Sequence, residues 1–299
     1  MACNKVITKD GRTLLDLTED DVAQGDVLQG KKFHGRDGVG KTGTLVPPTD
    51  SLAEMWEEYK KSNKTDWRNA FYNYYGQTVF SKITKEILDK LDFSGSENVT
   101  NMRSMFRSCA SLTSIPLFDT SSVTDMTEMF NGCTYLASIP LLDTSKVTNM
   151  TSMFSSCMSL TTIPLLDTSN ATYMNDMFNV CRALTSVPLL DMSKAQNITY
   201  MFYYCTSLTA IPALNLSNVT AMNYAFTECT ALTEFHATGM KVSFDLSSST
   251  KMSESALVEV LNNLATVTST KTLTLGSTLL AKLTEEEKAI ATQKGWTLA

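Results

Sequence analysis

The sequence predicts an α/β solenoid of six 24-residue rungs, each a short helix, a short strand and a turn, with caps at both ends and a small β-rich module in front. Three observations predict it. A cysteine recurs at Cys109, Cys133, Cys157, Cys181, Cys205 and Cys229, with a phenylalanine three residues before each, and the spacing never slips. A fixed period of this length means one supersecondary unit stacked on itself, because a single unit cannot bury its own apolar face. Within the third copy, Met150, Met153, Phe154 and Cys157 fall at i, i+3, i+4 and i+7, one helical stripe. Leu160, Ile163 and Leu165 then switch to strand-like spacing, and Asp167-Thr-Ser-Asn170 supplies turn chemistry.

The first 48 residues form the β-rich module. Gly35-Arg-Asp-Gly-Val-Gly-Lys41-Thr42 matches the phosphate-loop pattern letter for letter. That loop has to open a helix whose amides face the phosphates, and here Gly43 and Pro47-Pro48 follow at once. The segment reads instead as a β-hairpin around Asp37-Gly38, and no nucleotide or other cofactor is expected. Residues 49–98 are a linker and an N-terminal cap. Its helix over 51–62 carries Leu52, Met55, Trp56 and Tyr59, followed by the aromatic segment Trp67, Phe71, Tyr72, Tyr74 and Tyr75. Leu88, Leu91 and Phe93 lie 24 residues before Leu112, Ile115 and Leu117, so the cap imitates a rung.

Residues 99–242 are the six repeats. Thr148 is placed to cap the third helix, which at about two turns must be held by packing rather than propensity. Stacked strands sit about 4.8 Å apart whereas stacked helices need about 10 Å, so the rungs should splay and curve with strands on the concave side. Pro116, Pro140, Pro164, Pro188 and Pro212 each remove one ladder donor, which predicts short strands. Residues 243–299 form an α/β C-terminal cap, with helices over 253–264 and 284–293 and strands at 273–275 and 296–298.

Charge and composition exclude several functions. The net charge is −6, and residues 99–242 hold six Lys and Arg against nine Asp and Glu, so nucleic acid finds no basic footprint. No run of 18 apolar residues occurs, which argues against membrane insertion, and Met1-Ala-Cys-Asn-Lys-Val lacks the apolar stretch of a signal peptide. The chain is therefore expected to be made in the cytosol. Each repeat cysteine stands alone in its unit, unlike paired zinc ligands, and reads as a buried free thiol. Asp119, Asp143, Asp167 and Asp191, continued by Asn215, read as turn caps rather than a calcium ladder, since Asn serves a turn equally well. No metal is expected. With two histidines, His34 and His236, and no nucleophile beside a base at readable spacing, the chain is expected not to be an enzyme.

Met-Phe-x-x-Cys-x-x-Leu-x-x-Ile-Pro-Leu-Leu-Asp-Thr-Ser-x-Val-Thr-x-Met, the phrase repeated through the block, resembles the leucine-rich repeats of the BspA-like surface protein family, found on bacterial surfaces and in proteins of gut phages. Asn4-Lys-Val-Ile-Thr-Lys-Asp-Gly-Arg-Thr-Leu-Leu-Asp-Leu-Thr18, Asp26-Val-Leu-Gln-Gly-Lys-Lys-Phe-His-Gly35 and Thr42-Gly-Thr-Leu45 resemble N-terminal modules of phage tail-fibre and minor virion proteins. The resemblances imply a leucine-rich-repeat solenoid attached to a phage tail or baseplate by residues 1–48 and recognising a bacterial surface glycan or protein. They place it in the virion, and tail fibres are often homo-trimers. The alternatives are a bacterial surface or secreted adhesin and a purely structural virion component.

Comparing the copies with one another separates scaffold from surface. Core columns keep their residue, while outward columns wander through Arg107, Tyr135, Tyr173, Arg182, Tyr200, Tyr203, Tyr204 and Tyr224. Tyr and Arg combine large contact area with modest ordering entropy, which makes these eight the candidate ligand-binding residues. The opposite side should present a monotonous Ser, Thr and Pro surface, such as Thr161, Thr162 and Pro164.

Overall fold

The computed structural model describes residues 49–71 and 83–299, and within 1–48 four short strands. These are β1 (Lys5–Ile7), β2 (Thr13–Asp16), β3 (Lys32–His34) and β4 (Gly40–Thr42). β1 pairs antiparallel with β2, and β3 with β4, where Phe33 faces Lys41. Lys41 and Thr42 of the phosphate-loop letters thus sit in a hairpin strand. The Asp37-Gly38 turn and Tyr72, Tyr74 and Tyr75 lie outside the described residues.

Helix α1 (Thr49–Ser62) packs Trp56 against Trp67 and Phe71, with ring centroids 4.8 and 5.0 Å apart. The Trp56 indole donates to the Asp92 carbonyl at 2.6 Å. α2 (Lys85–Leu88) and a 3-10 turn at Ser96–Asn98 lead into the repeats. The segment from Asp66 to Phe71 is already rung-like. Trp67, Asn69 and Phe71 donate backbone N–H groups to Asn101, Arg103 and Met105, so this stretch caps the block by ladder bonds as well as by aromatic packing.

Consecutive 24-residue units pair in parallel. Bridges run Asn101 to Asp125, Asn149, Tyr173, Asn197 and Ala221, each residue paired with the one a unit further on. The predicted helix does not form. In the third unit Met150, Ser152, Phe154 and Ser156 donate to Tyr173, Asn175, Met177 and Asn179 of the next unit at 2.7–2.9 Å. The intervening amides close turns onto carbonyls three residues back: Met153 to Met150, Ser155 to Ser152 and Cys157 to Phe154. This alternation requires a left-handed residue twice per unit. Ser104, Glu128, Ser152, Asp176, Tyr200 and Tyr224 form one such column, and Ser108, Gly132, Ser156, Val180, Tyr204 and Glu228 the other, with φ between 54° and 77°.

The turns bury Met150, Met153, Phe154 and Cys157, the same four residues a helix would bury, which is why the stripe suggested one. Thr148 is accordingly no helix cap; its amide and hydroxyl both donate to the Thr124 carbonyl. With turns in place of helices, the spacing mismatch expected to splay the rungs is absent. Phe106, Phe130, Phe154, Phe178 and Phe202 stack ring on ring at 5.5–5.7 Å, tilted by only 3–8° from one unit to the next. Such a column suits strand-like spacing and not helix-on-helix spacing.

On the other side of the unit regular pairing is sparse, as the prolines require. One two-residue pair is found there, β5 (Ala210–Ile211) parallel to β6 (Glu234–Phe235). Thr120, Thr144 and Thr168 staple this side by donating their hydroxyls to Asp143, Asp167 and Asp191 carbonyls at 2.8–2.9 Å. Ile163 points inward, but Leu165 does not share its face as alternation predicts; Leu166 is buried instead, and Leu165 is 62% exposed.

The C-terminal cap contains a parallel three-stranded sheet of β7 (Phe244–Asp245), β8 (Lys271–Thr274) and β9 (Trp296–Leu298), in that order. α3 (Glu254–Asn263) is capped by Ser253, and α5 (Glu285–Gln293) opens on a capping box between Thr284 and Glu287. α4 (Gly276–Leu280) is a single turn the sequence reading missed.

Candidate functional site

The six repeat cysteines are interior and free. Each thiol donates to the carbonyl of the phenylalanine in the preceding unit, from Cys109 to Phe71 at 3.3 Å through Cys229 to Phe202 at 3.2 Å. Cys is therefore chosen here as a small apolar group that also reaches a carbonyl. Burial pushes the thiols up, Cys181 and Cys229 to about 12, so they are inert protonated groups rather than ligands or nucleophiles. The acidic column caps turns: Asp119, Asp143, Asp167 and Asp191 each accept the amide two residues on at 2.8–3.0 Å. Those bonds, made first to the Ser hydroxyl or amide, hold the carboxyls below their ordinary value. Among the described residues no group of three or more His, Cys, Asp and Glu could hold a metal ion, and no helix is long and apolar enough to cross a membrane.

Four of the eight candidate surface residues come together. Tyr200 and Tyr224 occupy one left-handed column and stack at 5.0 Å and 12°. Tyr203 stands edge-on to Tyr200 at 5.3 Å, to Tyr204 at 4.7 Å and to Tyr224 at 6.5 Å. The αL backbone turns the Tyr200, Tyr204 and Tyr224 side chains outward, where other units place Ser, Asp, Glu, Gly or Val. Desolvation, with the neighbouring phenols and Glu228, raises the Tyr203 hydroxyl above its ordinary value. Among the described residues none of the four hydroxyls donates a hydrogen bond, so the cluster offers ring faces and edges with four outward phenol groups. That combination suits the C–H faces and hydroxyls of a sugar, or a peptide surface.

The other four candidates are dispersed. Arg107 is engaged by the next unit, its guanidinium 2.5 Å from Glu128, whose carboxylate also accepts from Ser104 at 3.0 Å. Tyr173 lies in the bridge column, Arg182 just after Cys181, and Tyr135 two residues after Cys133; Tyr135 and Tyr173 are exposed.

Two features escaped the sequence reading. A polar surface groove of about 560 Å³ is lined by Thr172, Ser193, Lys194, Gln196, Asn218 and Thr220. Thr172, Gln196 and Thr220 share one column and Lys194 and Asn218 another, in adjacent units, with Ser193 beside them. His236 bridges the last units, 2.7 Å from Glu259 of α3 and 3.4 Å from Glu234, and the Glu259 bond raises its pKa.

Among protein families, one described as Mycoplasma protein of unknown function, DUF285, matches the chain over residues 65–184 and 135–239. The match opens beside Asp66, the first residue of the bridge ladder, and spans more than half of the chain. Among curated proteins none matches it.

Proposed function

We propose, for a chain that belongs to the family described as Mycoplasma protein of unknown function, DUF285, that it is a non-enzymatic binding protein. On this reading a BspA-like leucine-rich-repeat solenoid recognises a bacterial surface glycan or protein, and residues 1–48 attach it to a phage tail. The observation that carries the reading is the cluster of Tyr200, Tyr203, Tyr204 and Tyr224. Four tyrosines converge on two adjacent units of a scaffold whose other repeats place no aromatic residue in these columns. Aromatic rings concentrated in one place are what binding hot spots require, and the architecture does not need them there.

Support for phage attachment is the resemblance of the N-terminal module, with its two hairpins, to virion proteins. The second reading, a bacterial surface or secreted adhesin, is favoured by the cellular source in the family's description, Mycoplasma. Both readings use the same tyrosine face.

The test is binding of labelled full-length protein to a panel of intact bacteria, beside a Tyr203→Ser/Tyr204→Ser/Tyr224→Ser variant. Serine occupies two of these columns in other units at Ser155 and Ser156, and the third at Ser152, so the variant should fold unchanged. Selective binding that falls at least tenfold in the variant supports the reading. Binding retained by the folded variant moves recognition elsewhere, and chemical conversion of a surface polymer by the protein would overturn the non-enzymatic assignment. Co-purification with phage particles or with cell envelopes separates the two settings.

A further inference from the structure

On the side of the units half a repeat away from the tyrosines, Leu117, Leu141, Leu165 and Leu189 stand 59–72% exposed in four adjacent rungs. Each follows a half-buried proline and is followed by a buried residue and then an exposed aspartate. The rungs pair in register, each bridge residue with the one a unit further on, so the leucines recur at one position of successive rungs and form one column-like stripe. A stripe of this kind is not needed for folding. Leu166, Leu190 and Leu142 already fill the interior beside it, each at most 2% exposed.

We propose that this stripe is a self-association surface, at which a second copy of the chain packs its own stripe with the two stacks running parallel. Area argues for a partner of this size. At on the order of 100 Å² of apolar surface per leucine, the four leucines and their prolines offer about 500 Å² per copy, or about 1,000 Å² for a pair. The pair total reaches the lower bound for a specific interface, and the patch on each copy lies toward the upper end of what a monomer commonly leaves contiguous, which is where functional patches fall.

Charge decides the orientation. The column of Asp119, Asp143, Asp167 and Asp191 borders the stripe on one side only, and the other side carries uncharged residues such as Thr161 and Thr185. A two-fold axis across the stacks would lay one acidic column over the other. A two-fold axis along the stacks sets each acidic column beside the neutral edge of the partner, and puts every leucine opposite its own copy. In that arrangement both tyrosine clusters face outward, which makes the pair bivalent toward a surface carrying many receptors.

The experiment is light scattering coupled to size exclusion of the full chain across a dilution series, beside Leu141→Asp/Leu165→Asp. The expected result is a two-chain mass for the natural protein and a one-chain mass for the variant at unchanged thermal stability. A one-chain or three-chain mass for the natural protein, or a two-chain mass that survives the substitutions, overturns the proposal. Leu165→Ser/Leu189→Ser gives the same readout should the aspartates disturb folding. Orientation is read from cysteine crosslinking in a Cys3→Ser background, the six repeat thiols being buried. Leu189→Cys alone is expected to crosslink to itself. Crosslinking only when Leu117→Cys and Leu189→Cys chains are mixed would overturn the parallel arrangement.

Discussion

Moving the protein from pH 7.5 to pH 10 under reducing conditions titrates the cysteine column in the unfolded chain but not in the folded one. All six thiols are raised by burial, with Cys181 and Cys229 at about 12, against an ordinary value of 9.0. A group whose folded pKa lies above its unfolded pKa gives its full stabilisation below the unfolded value and loses it as pH rises. The loss here begins near pH 9, where the unfolded chain starts to release protons that the folded chain retains. Each retained proton costs about 1.4 kcal/mol per pH unit beyond that point. Summed over the column, the loss is on the order of several kcal/mol by pH 10, comparable with the whole stability of an ordinary domain. Urea unfolding followed by tryptophan fluorescence, at half-unit pH steps with a phosphine reductant, measures the slope directly. Cys157→Ala/Cys181→Ala should lower stability at neutral pH and reduce the alkaline slope by a third. A slope of one proton or fewer, or a slope unchanged in the double variant, would refute the picture of six protonated thiols in the interior.

Two further substitutions probe the backbone and the C-terminal cap. Val180 is a β-branched residue held at φ 60 in the column where Gly132 sits, so Val180→Gly relieves left-handed strain and should raise stability by about 1 kcal/mol in urea unfolding, the reverse of the usual effect of glycine. Lys294 donates its ammonium to the Leu261, Asn262 and Leu264 carbonyls at the C-terminal end of α3, and Lys294→Met, which keeps the stem, should cost about 1–2 kcal/mol by the same assay.

The period was legible because it needs only counting, and the Phe and Cys columns found by counting are the ones that stack and hydrogen-bond from unit to unit. The conformation inside the unit was not. A two-turn helix and a run of alternating turns bury the same positions, so Met150, Met153, Phe154 and Cys157 cannot distinguish them. Glycine would have revealed the left-handed columns, but eleven of those twelve positions hold other residues, stabilised there by amide bonds to the next unit that no single unit can make. Strand alternation places Leu165 with Ile163, but Pro164 between them breaks the ladder that would enforce it. At the C-terminal cap, Ser253 and Thr284 mark their helices in the sequence, as local caps do. The tyrosine cluster was half legible: Tyr200 and Tyr224 share a column by counting, whereas the contact of Tyr203 with both depends on the turns.

The most direct test of the binding account is tyrosine footprinting, in which labelling by a small aqueous reagent is quantified by mass spectrometry for the free protein and for protein bound to the cells it selects. Binding through the cluster protects Tyr203, Tyr204 and Tyr224 and leaves Tyr135 labelled equally in both states. Protection of Tyr135 or of the cap residue Tyr59 while the cluster stays labelled would contradict it.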